Sequence, residues 1–184
     1  MTLYRVFPWD RAAKSGAPFA PDFIPRHQGS GRFDLRESAV WYLAESPEHA
    51  TAELLQGFRG RRLHPRALRR FGHTLALASV ELTESAASSI VDLDDPAILV
   101  TLGVLPSTMA SDDRARTQAL AETVFARGAT GLRWWSKLSG DWHTIVLFLA
   151  RIPPKMLVMG APVPLTAEHP AVVQACRQLA IPIA

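Results

Sequence analysis

Residues 29–55, GSGRFDLRESAVWYLAESPEHATAELL, constrain this chain more than any other stretch. Gly29 and Gly31 let the backbone take dihedrals closed to other residues and lie close against a ligand, and Arg32 follows directly. Residues 39–44 (AVWYLA) are an apolar run of strand length. Ser46 then stands where a helix cap belongs, with Pro47 at the first helical position and Glu48 in the first turn. The order is glycine loop, strand, capped helix, and it places Arg32 in the loop, Tyr42 on the strand and Glu53 in the helix. That helix is expected to reach about Phe58, with Ala50, Leu54 and Phe58 as its buried stripe and Gly57 and Gly60 marking its end.

The remaining pattern is mixed. Residues 3–7 alternate as a first strand, and residues 10–36, rich in Pro, Gly, Ser and charge, read as a long structured loop of the kind that is usually functional or disordered. Strands are expected over 75–82 and 90–93. A helix capped by Asp112 or Asp113 runs to Arg127, with Leu120 and Val124 inward and Gly128 as its stop. Residues 132–135 and 145–149 form a hairpin with Gly140 in its turn, Pro153 and Pro154 break the chain, and residues 156–159 and 167–179 give a last strand and helix. Strands mixed with two or three helices, and no internal repeat or linker, predict a single α+β domain.

The bulk numbers narrow the class. The chain has 184 residues, 48% apolar and 20% charged, which suits one globule with a sizeable core. Its longest apolar run, residues 145–150, fits a buried strand and falls far short of the roughly 18 residues of a membrane span. Residues 1–9 lack the basic segment and apolar block of a secretory signal, so a cytoplasmic protein is expected. Cys176 is the single cysteine, which excludes an intrachain disulfide and a cysteine-built zinc cluster and fits a small buried hydrophobe. Arginine dominates the basic residues, and Arg59, Arg61, Arg62, Arg66, Arg69 and Arg70 cluster. The cluster reads as a solvated face, a docking site for an acidic partner, or a nucleic-acid patch. The last is weakest, because it lacks interleaved aromatics.

Several residues carry two readings. Glu53 borders the expected stripe, so its carboxylate is either paired structurally or held for chemistry. Trp134 and Trp135 suggest one core and one cleft residue. Asp92, Asp94 and Asp95, followed by Pro96, read as a turn and a helix cap rather than a metal site, and no two histidines have the spacing of a helical ligand pair. No metal and no cofactor are expected.

Four pieces in register resemble the RES domain: Tyr4-Arg5; Gly31-Arg32-Phe33; residues 42–55 with their Ser-Pro-Glu and Ala-x-Ala-Glu-Leu pattern; and Gly131-Leu132-Arg133-Trp134-Trp135-Ser136. Residues 91–96 resemble the family's Asp-Leu segment, and the match spans about residues 3–150. The chain departs at Asp34, where the family often has asparagine, and at His143-Thr144, where an asparagine commonly precedes the final strand.

The resemblance implies a split, twisted sheet with flanking helices like that of ADP-ribosyltransferases. It also implies a toxin that degrades NAD+, held in check by an antitoxin with an Xre-like helix-turn-helix, DNA being reached only through that partner. NAD+ is then substrate, cleaved with inorganic phosphate to nicotinamide and a phosphorylated ADP-ribose or, as a glycohydrolase, with water; a homodimer is left open. By position, the family's arginine, glutamate and serine fall on Arg32, Glu53 and Ser136, with Tyr42 as a fourth site residue and Arg5 as the early arginine. Arg32 would hold the pyrophosphate, Arg5 would assist it or bind an incoming phosphate, Glu53 would face the developing oxocarbenium charge, Tyr42 would pack on the nicotinamide or its ribose, and Ser136 would hydrogen-bond substrate. Residues 1–155 would carry the NAD chemistry and 156–184 a strand and helix packed on it. Transfer of ADP-ribose to a protein and a silent partner-binding module are the alternatives.

Overall fold

The computed structural model describes residues 1–25 and 28–184, so positions 26 and 27 of the expected loop lie outside the described residues. In chain order the strands are β1 (Thr2–Trp9), β2 (Val40–Ala44), β3 (Arg69–Arg70), β4 (His73–Leu82), β5 (Ile90–Asp92), β6 (Gly131–Ser136), β7 (Ser139–Phe148), β8 (Leu157–Met159) and β9 (Val163–Pro164). The helices are α1 (Pro47–Leu55), α2 (Glu84–Ala87), α3 (Pro96–Leu102), α4 (Pro106–Ala110), α5 (Arg114–Ala126) and α6 (Pro170–Gln178). Two compact units share them. One comprises Met1 and residues 24–43 and 82–158, the other residues 2–23, 44–81 and 159–184. Each mixes strands with helices, as the α+β class requires. No helix among the described residues is long and apolar enough to cross a membrane.

In the first unit β6 and β7 form an antiparallel hairpin with Leu132 opposite Val146, and β5 runs parallel to β6 with Val91 opposite Leu132. A parallel pair requires a crossover, which α3, α4 and α5 supply. Asp95 caps α3 by accepting the Ala97 amide at 2.8 Å, and Gly103 ends it with φ +67°. Asp113 caps α5 by accepting the Arg116 amide at 3.4 Å. The stripe Thr117, Leu120, Ala121 and Val124 turns inward. Leu120, Ala121 and Val124 belong to one core with Phe33, Leu132, Trp134 and Phe148, each large apolar side chain contributing about 1.5–3 kcal/mol by leaving water.

Two details of this unit differ from the sequence reading. The hairpin turns at Lys137-Leu138, so Gly140 lies inside β7. β6 also begins one residue early, at Gly131, where a Cβ would stand 2.4 Å from the Val146 carbonyl oxygen. α2 and α4 are too short to leave a periodic signature, while α3 starts at the helix cap read from Asp95 and Pro96.

In the second unit β1 and β4 form an antiparallel ladder from Thr2 opposite Glu81 to Trp9 opposite Thr74. β3 pairs with the start of β4 and β9 with its middle, Leu77 opposite Val163. α1 packs against β1 and α6. Ser46 caps α1 as expected, its hydroxyl accepting the His49 amide at 3.2 Å. The buried face differs: His49, Ala50, Thr51, Ala52 and Leu55 are covered, while Leu54 and Phe58 are half-buried. The helix closes at Leu55 into a tight turn over Gln56–Phe58, so a four-residue repeat cannot carry Phe58 onto the same face. α6 opens at His169, whose Nδ1 accepts the Ala171 amide at 3.2 Å. Cys176 is buried within α6 as the sequence suggested, and burial raises its thiol pKa.

Candidate functional site

The glycine loop of the first unit is organised by a buried carboxylate. Asp34 is 5% exposed. Its Oδ2 accepts the amides of Gly29 at 2.6 Å and Gly31 at 2.7 Å, and its Oδ1 accepts the Tyr42 hydroxyl at 2.8 Å. That hydroxyl also accepts the Phe33 amide at 2.9 Å. A Cβ at Gly31 would lie 2.3 Å from Asp34 Oδ1 and 2.5 Å from the Tyr42 oxygen, so glycine is required there by the loop's own carboxylate. Gln118 of α5 closes the loop from the other side, donating to the carbonyls of Gly29 at 3.1 Å and Gly31 at 2.8 Å.

This loop fixes Arg32. Its guanidinium lies 4.2 Å from the centre of the Trp134 ring. Nη2 donates to the carbonyls of Met109 and of Ser111, the latter at 3.0 Å. Nε and Nη1 are buried and have no hydrogen-bond partner among the described residues. Burial lowers the Arg32 pKa, with Asp112 and Tyr42 opposing the shift. Asp112 is itself held below the usual carboxylate range by its hydrogen bond and ion pair with Lys137. Unpaired buried donors on a cation cost free energy until an acceptor arrives. The arrangement is suited to an anionic group whose oxygens meet the Nε–H and Nη1–H donors separately.

Tyr42 offers less than its position suggested. Its hydroxyl is already engaged on both sides, and burial, the Asp34 charge and the Asp34 hydrogen bond push its ionisation well above the ordinary tyrosine range. Only its ring remains for packing. Ser136, 3% exposed, closes the hairpin turn, its Oγ accepting the Leu138 amide at 3.2 Å. Trp134 is the core tryptophan, tilted against Phe33 at 5.3 Å, while Trp135 is half-buried. Asp92 and Asp94 serve as partners: Arg133 Nη1 donates to both Asp92 oxygens at 2.9 and 3.0 Å, and His143 lies 3.1 Å from Asp94.

In the second unit Glu53 projects from α1 with 43% of its side chain exposed. Its Oε1 lies 3.1 Å from Nε2 of His49, which is 1% exposed one helical turn earlier, and its Oε2 accepts Gln56 Nε2 at 3.2 Å. The carboxylate is therefore oriented from below by a buried imidazole and remains open to solvent. Arg5 ties down the loop that follows β1: Nη1 donates to the carbonyls of Pro21 at 2.9 Å and Phe23 at 3.1 Å. Burial pushes its pKa down to about 10 against the opposing charge of Asp22.

The structure thus brings Arg32 and Tyr42 into one network through Asp34 and Phe33, and seats Glu53 on His49. The sequence reading missed Asp34 as organiser, Gln118 as loop clamp and His49 as support. His49 was legible at four residues before Glu53; Gln118, 87 positions from Gly31, carried no local signal.

The family model described as RES domain matches residues 2–167. The fold is similar to a chain of the M. tuberculosis MbcT–MbcA toxin–antitoxin complex, with 19% identity, 97% of this chain and 88% of that chain covered, and a TM-score of 0.64. No curated protein matches the chain.

Proposed function

The chain belongs to the RES-domain family, and from that premise we propose that it is the toxin of a toxin–antitoxin pair and cleaves the nicotinamide–ribose bond of NAD+. The observation that carries the reading is Arg32: a buried guanidinium stacked on Trp134, with Nε and Nη1 lacking a partner among the described residues. A pyrophosphate supplies the acceptors those donors lack. The solved structure of similar fold is a toxin–antitoxin complex, which supports a cognate antitoxin as partner.

Breaking the C–N bond leaves positive charge on the ribose and releases nicotinamide as a neutral base, so no general acid is needed. Glu53 stabilises that charge, its carboxylate steered by His49. Phosphate then attacks the anomeric carbon through an oxygen and gives a phosphorylated ADP-ribose. Tyr42 contributes its ring and, through Asp34, the shape of the Arg32 loop. Ser136 holds the hairpin that carries Trp134, and Arg5 holds its own loop.

The test is NAD+ turnover by partner-free protein, with and without inorganic phosphate, with products followed by mass spectrometry. Phosphate-dependent loss of NAD+ with a phosphorylated product establishes phosphorolysis. Loss that ignores phosphate makes the enzyme a glycohydrolase. A folded protein that leaves NAD+ untouched overturns the reading.

A further inference from the structure

The second unit carries a surface that the NAD+ reading does not use. From Glu53 to Glu81 the sequence contains no acidic residue, and Arg59, Arg61, Arg62, Arg66, Arg69 and Arg70 fall inside that interval. All six are exposed. Arg59, Arg61, Arg62 and Arg66 make no ion pair or side-chain hydrogen bond among the described residues. The segment that bears them is held in place. Leu63, 1% exposed, donates its amide to Pro182 at 2.8 Å and accepts the Ala184 amide at 2.9 Å. Arginines on an anchored segment lose less freedom on meeting a partner than arginines on a loose one.

Beside this segment lies a groove of about 360 Å³, whose floor includes the buried side chains Leu68 and Leu165 and whose rim carries Arg66 and Arg69. Glu168 also lines it and pairs with neither arginine among the described residues. Arg69 is braced by the Gly72 carbonyl at 2.7 Å. The β3–β4 hairpin ends in Phe71 and Gly72, with φ of +52° and +82°. Such turns favour Asn or Gly, and a bulky residue there is strained. Yet Phe71 is 70% exposed, with the Arg70 guanidinium 5.2 Å from its ring. Its ring meets Phe19 at 6.3 Å and otherwise faces solvent beside arginine, which combines the residue types that dominate binding hot spots.

We propose that the β3–β4 hairpin and the adjoining groove are a docking surface for an acidic protein segment that carries an apolar anchor residue. The guanidinium groups take the carboxylates, the groove over Leu68 and Leu165 takes the anchor, and Phe71 covers it. Nucleic acid fits less well, because a strand needs successive stacking faces and the hairpin tip exposes one ring.

The test uses the full chain and a short fluorescent peptide of alternating glutamate and leucine, with oligodeoxythymidine and anionic vesicles as competing probes. The peptide is expected to bind, to weaken as salt rises, and to lose about tenfold or more in affinity in the Arg66→Glu, Arg69→Glu double variant. Phe71→Asn relieves the backbone strain at the cost of the ring contact with Phe19, so an unchanged urea midpoint is expected and separates its loss of binding from misfolding. NAD+ turnover is unchanged in both variants. No peptide binding, binding indifferent to the charge reversal, or tighter binding of the oligonucleotide or the vesicles overturns the proposal, whatever the outcome for NAD+.

Discussion

The Tyr42 hydroxyl donates to Asp34 Oδ1 at 2.8 Å, and the same carboxylate gathers the Gly29 and Gly31 amides on its other oxygen. One side chain thereby fixes both walls of the loop that presents Arg32. Asp34→Ala strands three donors in a largely buried place and is expected to cost roughly 2–4 kcal/mol. Asp34→Asn keeps an acceptor for the amides and costs less. Urea denaturation of the two variants gives the ranking, and equal midpoints for Asp34→Ala and the wild type would remove the organising role.

Arg32→Lys is expected to fold and to lose NAD+ binding by tenfold or more, about 1.4 kcal/mol, since an ammonium cannot stack on Trp134 while serving two carbonyls and an anion. Isothermal titration with NAD+ checks this. Full affinity in the variant would separate Arg32 from the pyrophosphate.

Glu53→Gln retains the hydrogen bond to His49 and removes the charge. Because the side chain is 43% exposed, stability is expected to hold while turnover falls about 100- to 1,000-fold, the scale of losing one electrostatic stabiliser. Single-turnover kinetics on NAD+ reads the chemical step directly.

Gln118→Ala releases the carbonyls of Gly29 and Gly31 from α5. The expected loss is about 1 kcal/mol of stability, with KM for NAD+ rising more than kcat falls. A change confined to kcat would place Gln118 closer to the chemistry than its contacts indicate.

Tyr42 sets an alkaline limit. Its folded pKa lies above the unfolded one, so its contribution is intact below the unfolded value of about 10. Above that pH the unfolded chain releases the proton while the folded chain keeps it, and stability declines. Arg5, pushed down to about 10, works in the opposite sense in that range, so the comparison must be wild type against Tyr42→Phe. The variant is expected to show the shallower fall in urea midpoint as pH rises.

Periodicity and capping rules are local, and what they determined is local. Ser46 and Pro47 start α1, Asp113 starts α5, and the hairpin of residues 131–148 follows from two apolar runs separated by a turn. The order of glycine loop, strand and helix also placed Arg32, Tyr42 and Glu53 on their elements. Tertiary structure decided what those side chains are free to do. Asp34, which the sequence showed only as a departure from the family's usual asparagine, is buried because two amides and a phenol converge on it. Arg32 spends Nη2 on carbonyls 77 and 79 positions away and keeps Nε and Nη1 unpaired among the described residues. Such partners arrive through chain crossings that no window of neighbouring residues contains. A pattern therefore names a side chain and its element, while the hydrogen bonds left over for a ligand are settled only when distant backbone has claimed its share.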